Sequence, residues 1–256
     1  MSQATKITTM IALVFMLCQA NGYAANRVLY ENFDDKVLDA RFGVFGHNWA
    51  PMTPPQYNLN QVGRGGKGYS FTSGTVNEAS LLWKKDIYNP WPTDELYVSF
   101  WMRYPTFRST DSHENMKFFY PHWDGTDSYV HYAMSSNNSV YYSAMSRGSM
   151  VSSGRWLTCP NQTDGKWHRY EFYIKFSTGA SKFWYDGALK VNDTYGRGKW
   201  TNTMYYIHAP SIDAEEEGSF SRQVDDYEVW DGMPTSNGSD GGSVTVPSGI
   251  SVRIMG

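Results

Sequence analysis

Residues 164–191, DGKWHRYEFYIKFSTGASKFWYDGALKV, decide the fold. Asp164 and Gly165 open the stretch with a turn. His168, Tyr170, Phe172, Ile174 and Phe176 then alternate with Trp167, Arg169, Glu171, Tyr173 and Lys175. A period of two is the mark of a strand with one buried face. Ser177, Thr178 and Gly179 form a second turn, Lys182 to Tyr185 a second strand, and Asp186-Gly187 leads into a third strand at Ala188 to Val191. Asp-Gly between two strand-like runs is a strong hairpin signal.

The remaining chain repeats this pattern. Strands are predicted at Arg27 to Phe33, Ser80 to Trp83, Glu95 to Tyr104, Met116 to Tyr120, Tyr129 to Met134, Val140 to Arg147, Thr203 to His208 and Arg222 to Trp230. Residues 43–68 are rich in Gly, Pro and Asn and read as loops. No amphipathic helix and no internal repeat stands out. Many short strands between turn residues indicate a sandwich or barrel.

The order "GKWH", long strand, turn, "WYDG", short strand resembles the concanavalin A-like lectin/glucanase superfamily. The same region looks like the jelly-roll polysaccharide lyases and the LamG-like domains. The resemblance implies an all-β fold, a two-sheet antiparallel jelly-roll β-sandwich, with carbohydrate as the ligand class. It implies no particular reaction.

Residues 1–24 read as a secretory signal peptide. Lys6 supplies the positive charge, Met10 to Cys18 is a short apolar core, and Gly22-Tyr23-Ala24 offers small residues at a cleavage site. The product is expected to be secreted or periplasmic, without membrane insertion. Residues 25–234 make one domain. Residues 235–256 are a Gly/Ser-rich linker (TSNGSDGGS) and a short tail.

Without residues 1–24 only Cys159 remains, so no internal disulfide staples the domain. Removing Lys6 takes the net charge from −3 to −4, too mild to suggest nucleic acid as a partner. Aromatic residues make up 16% of the chain. Much of that is core, but an excess of Tyr and Trp also suits sugar binding, because their faces stack on pyranose rings. A monomer is expected.

Strand parity nominates a binding face. Leu96, Val98, Phe100, Met102 and Tyr104 form a core face, opposite Tyr97, Ser99, Trp101 and Arg103. Tyr129 and His131 likewise oppose Val130, Tyr132 and Met134, while Tyr141, Ser143, Met145 and Arg147 oppose Val140, Tyr142 and Ala144. If these strands are neighbours, their outward faces pool Tyr97, Trp101, Arg103, Tyr129, His131, Tyr141 and Arg147 in one polysaccharide groove. Lys117 and Trp123, in HENMKFFYPHWD, would sit at its edge. His113, Glu114 and His122 in that stretch match no zinc spacing. Arg103, Arg147 and Lys117 lean towards an acidic polymer.

Calcium fits better elsewhere. The first strand and the turn after it carry Glu31, Asp34 and Asp35, and the last strand carries Asp225 and Asp226. A hard cation takes several such oxygens, and the resemblance implies a structural Ca2+ where first and last strands meet. The ligands would be Glu31, Asp34 and Asp226. The alternative is that these carboxylates make turns or bond to backbone N–H groups at a bulge.

Three chemistries compete. Hydrolysis needs two carboxyls flanking the bond, and the Glu-x-Asp-x-x-Glu strand of laminarinase-like members is absent. A lyase acting on a uronic-acid polymer by β-elimination needs a base, an acid and a cation near the carboxylate. His131, Tyr129, Tyr141 and Arg103 could fill those roles. A binding protein needs only stacking aromatics and polar partners, supplied by Tyr97, Trp101, Lys117, Trp123 and Arg147. Binding and β-elimination stand close together, with hydrolysis well behind. A structural protein without a sugar ligand is a fourth reading.

Overall fold

The structure, a computed structural model, describes residues 25–39, 42–45, 57–66, 69–73, 80–83, 91, 93–107, 116–123, 128–136, 138–146, 149–194, 204–208 and 220–234. The expected signal peptide, Arg147 and the tail from 235 onward lie outside them.

Fifteen strands are described. They are β1 (Arg27–Glu31), β2 (Phe42–Phe45), β3 (Tyr57–Val62), β4 (Tyr69–Ser73), β5 (Ser80–Trp83), β6 (Glu95–Phe107), β7 (Met116–Trp123) and β8 (Ser128–Ser136), followed by β9 (Ser139–Ser146), β10 (Ser149–Thr158), β11 (His168–Lys175), β12 (Ala180–Tyr185), β13 (Ala188–Thr194), β14 (Met204–His208) and β15 (Phe220–Trp230). They form two antiparallel sheets. One runs β13-β12-β11-β6-β15-β4-β3, with β1 also paired to β15, and the other runs β10-β9-β8-β7-β14-β5-β2. The molecule is the all-β jelly-roll sandwich expected from the sequence. Among the described residues no helix is long and apolar enough to cross a membrane.

The alternation read in residues 164–191 is the packing pattern. Tyr170, Phe172, Ile174 and Phe176 join Phe100, Met102 and Tyr104 of β6 in the core between the sheets. Phe118, Phe119, Val130, Tyr132, Val140 and Tyr142 enter the same core from the second sheet. Phe118 meets Tyr170 edge-on at 5.1 Å, and Tyr132 meets Phe172 edge-on at 5.1 Å. Such geometry suits the ring quadrupole. Each buried ring contributes about 1.5–3 kcal/mol of transfer free energy.

The turns follow from local chemistry. Asp186 and Gly187, between β12 and β13, both have positive φ, 49° and 75°. That is the type I′ geometry Asp-Gly favours. The Asp186 carboxylate accepts the Arg169 N–H at 2.8 Å and binds His168 Nδ1 at 2.7 Å. His168 Nε2 meets Asp164 at 3.0 Å. One imidazole thus ties the turn before β11 to the β12–β13 hairpin. Burial opposes its charge, but the two carboxylates outweigh that and raise its pKa.

Two expectations are corrected. The loop reading of 43–68 is overturned over β2 and β3, because pairing with β5 and β4 supplies ladders that the Asn-rich sequence hides. β10 is also unforeseen. Its polar SMVSSGRWLT gives little periodic signal, yet it pairs along β9 from Ser149 to Thr158.

Candidate functional site on the outer faces of the sheets

The two sheets separate the residues that the sequence grouped. β6, with Tyr97, Trp101 and Arg103, belongs to the first sheet, while β8 and β9, with Tyr129, His131 and Tyr141, belong to the second. Their outward faces point away from each other across the core. The single pooled groove is therefore corrected to two distinct faces. The cause is topological: β6 pairs with β11 and β15, not with β8.

On the first sheet, Tyr97 lies opposite Tyr173 and Trp230, and the three pack with Trp184 into a second, smaller buried cluster. Ala25 and Met233 lie against it. The rings on this face carry cations from the protein itself. Arg64 lies over Trp101 at 4.5 Å, Arg103 over Trp167 at 4.9 Å, Lys182 over Tyr173 at 5.6 Å and Arg27 over Trp230 at 5.8 Å. Cation–π attraction is strongest where it is partly desolvated. A sugar stacking on these rings would have to displace those cations.

The acids of this face are also engaged. Glu171 and Glu228 flank Ser99 across β6. This pairing, between strands distant in sequence, was not legible in the sequence. Glu171, only 2% exposed, accepts the Tyr97 hydroxyl at 2.6 Å and lies 3.5 Å from Arg169. Glu228 accepts the Trp230 indole N–H at 3.1 Å and lies 3.5 Å from Arg27. Asp225 accepts the backbone N–H groups of Arg64 at 2.6 Å and Asp226 at 2.8 Å. Burial pushes its carboxyl up to about 6, despite those two bonds. Around Tyr97, Tyr173, Trp184 and Trp230 this face forms a second packing layer.

β1 does pair with β15, as the calcium expectation required. The same carboxylates make bonds within the protein. Glu31 accepts the N–H groups of Phe33 at 2.7 Å and Asp39 at 3.2 Å. Asp34 accepts Asn32 Nδ2–H at 2.9 Å. Asp226, at φ 47° in the β15 bulge, accepts from the Tyr30 hydroxyl at 2.8 Å and pairs with Arg64. Among the described residues no group of three or more His, Cys, Asp or Glu side chains is arranged to hold a metal ion.

The second sheet's outward face differs. Tyr141 of β9 lies opposite Ala133 of β8 and Trp156 of β10, and His131 lies opposite Ser143. The Tyr141 and Trp156 ring centroids are 5.0 Å apart, and those of His131 and Tyr141 are 5.8 Å apart. Ser143 Oγ stands 3.5 Å from His131 Nδ1, and His131 Nε2 is buried. Trp156 is 51% exposed, whereas Ala133 and Ser143 beside it are buried. A row of aromatic rings thus rises from a floor of small residues. By backbone register Lys117 of β7 falls opposite Ala133, in line with Tyr141 and Trp156. Tyr129 is opposite Met145, and Trp123 is at the end of β7 opposite Ser128.

The sequence therefore placed His131 and Tyr141 on one face correctly and missed Trp156. The available signal was the Trp156-Leu157 pair after Gly154: Leu157 is buried in the core, which turns Trp156 outward.

No protein-family model matches the chain, and no curated protein matches it. Solved structures do match in fold. The binding domain of botulinum neurotoxin DC, in complex with SialylT, aligns with a TM-score of 0.54 at 11% identity, covering 82% of this chain and 48% of that one. Domain 4 of an extracellular arabinanase from Geobacillus stearothermophilus, in complex with arabinotriose, aligns with a TM-score of 0.54 at 13% identity, covering 83% and 95%. The chain thus spans about half the length of the toxin domain and nearly all of the arabinanase domain. At these identities the likeness is one of fold: the chain is built as an all-β sandwich of the kind found in both.

Proposed function

We propose that the protein binds glycan through the outward face of β8, β9 and β10. The observation that carries this reading is Trp156, half exposed beside Tyr141 and His131, in contrast to the cation-covered rings of the opposite face. Trp156 and Tyr141 together make a small contiguous aromatic patch, and contiguous patches of this kind mark contact surfaces. Exposed rings that can stack on a sugar face are what a pyranose needs. Two sandwiches of like fold carry SialylT and arabinotriose, which supports the ligand class. We read residues 1–24 as an export signal, which would bring the domain to extracellular or periplasmic glycans.

The same residues suggest β-elimination as a second reading, favoured by the contact of His131 with Tyr141. A base must reach the proton it removes. His131 turns Nδ1 to Ser143 and buries Nε2, so binding without chemistry accounts better for its placement. The lean towards an acidic polymer stays a proposal that rests on the charge of Lys117, because Arg103 lies on the other sheet.

The test is a glycan array probed with the purified protein and with Trp156→Ala. Saturable binding that weakens at least about ten-fold in the variant is expected, as for an aromatic anchor. Equal binding by both proteins would remove this face from the account. Appearance of an unsaturated product with any uronic-acid polymer would move the reading to a lyase.

A further inference from the structure

The rings of the proposed glycan face are steeply tilted. Tyr141 and Trp156 meet at 59°, and His131 and Tyr141 at 67°. Gly154 on β10 permits this arrangement. A Cβ there would overlap Oη, Cζ and Cε2 of the Tyr141 side chain. Tyr141 therefore reaches across the neighbouring strand into space that any other residue at 154 would fill. Any side chain there must push the phenol ring away from its present pose next to Trp156.

We infer that the ligand, if the glycan reading holds, is a single soluble glycan chain and not the flat face of an ordered, insoluble polysaccharide. A crystalline polysaccharide face presents many chains in one plane. Aromatic side chains that grip it must be coplanar, because each ring gains dispersion and hydrophobic contact only when it lies against that plane. Rings inclined by 59° and 67° to their neighbours cannot lie on one plane together. They suit a separate chain whose successive sugars turn their faces in different directions. Gly154 is accordingly a positioning residue: it contacts no sugar but sets the pose of Tyr141.

The experiment pairs two measurements on the full chain. Isothermal titration follows binding to soluble oligosaccharides and polysaccharides that score on the array. Depletion assays follow adsorption to crystalline cellulose and crystalline chitin. Saturable binding to a soluble chain without adsorption to either solid is expected. Gly154→Ala and Tyr141→Ala, each with an unchanged thermal transition, should weaken soluble binding at least five-fold. Tyr141→Ala only removes atoms, so it serves where Gly154→Ala fails to fold. Adsorption to a crystalline solid that soluble chains do not compete away would overturn the single-chain inference and leave glycan binding standing. Binding to no soluble and no solid glycan would overturn both. Full affinity in Gly154→Ala would remove that residue's positioning role.

Discussion

Phe119 of one sheet and Phe172 of the other stack with ring centroids 3.9 Å apart and planes within 10° of parallel. Both are about 1% exposed, at the centre of the inter-sheet core. Phe172→Ala should therefore lose the transfer free energy of the ring and leave a cavity, costing about 3–5 kcal/mol. Tyr141→Ala, on the outward face, should cost well under about 1 kcal/mol. Urea titration of both variants checks the contrast.

The His168 bridge predicts a stability that falls as pH rises. Its two bonds, to Asp164 and Asp186, need N–H on both ring nitrogens. Its pKa is raised in the fold above 6.5. Its contribution is therefore fully present below that value and is lost as pH rises through the folded pKa. The Asp164 carboxyl is lowered from 3.8 by the Lys166 N–H and by His168, despite its own desolvation. Its share is present above that value and is lost as pH falls through the folded one. Thermal melts across pH should show wild type losing its advantage over His168→Gln on the alkaline side. A difference between the two that does not change with pH would refute the bridge.

Asp225 has the opposite tendency to most carboxylates. Its folded pKa, about 6, exceeds the ordinary 3.8, so its protonated form favours the fold. Its share of stability is present below 3.8 and is lost as pH rises through about 6. The melting temperature of wild type relative to Asp225→Asn should thus fall between those values, then level off. A flat difference would contradict the buried carboxyl.

Cys159 is fully buried, and burial pushes its thiol up to about 12. A thiol so protonated and shielded is a poor nucleophile. A disulfide reagent at neutral pH should label it only after denaturant is added. Prompt labelling of the native protein would show that the site opens.

The two faces predict different consequences for ligand binding. Trp101→Ala and Arg103→Ala alter the covered face and should leave glycan affinity within about two-fold, as for residues outside a contact. Trp156→Ala should not. Titration of the three variants with one soluble glycan decides between the faces.

The fold was legible wherever alternation was strong. Residues 168–176 and 95–104 gave their strands and their buried faces, because one face of each is almost wholly aromatic or aliphatic. β10 was not legible, since its run of Ser and Gly residues carries no apolar period and its edge position asks for none. The site was half legible for a related reason. Parity separates inward from outward residues within one strand, and so it placed His131 and Tyr141 together. It cannot say which strands share a sheet, and so it joined Trp101 to a face on the other side of the molecule. Trp156 was lost with its strand.

The cations over Trp101, Trp167, Tyr173 and Trp230 also bear on how the molecule behaves in a crowd. A sheet face with that many large rings would ordinarily be adhesive, prone to clumping and to indiscriminate capture of other surfaces. Arginine and lysine lids give it a charged, hydrated exterior instead. Those four rings therefore add aromatic packing to the outward side of the first sheet while the cations over them keep that part of the face charged and hydrated.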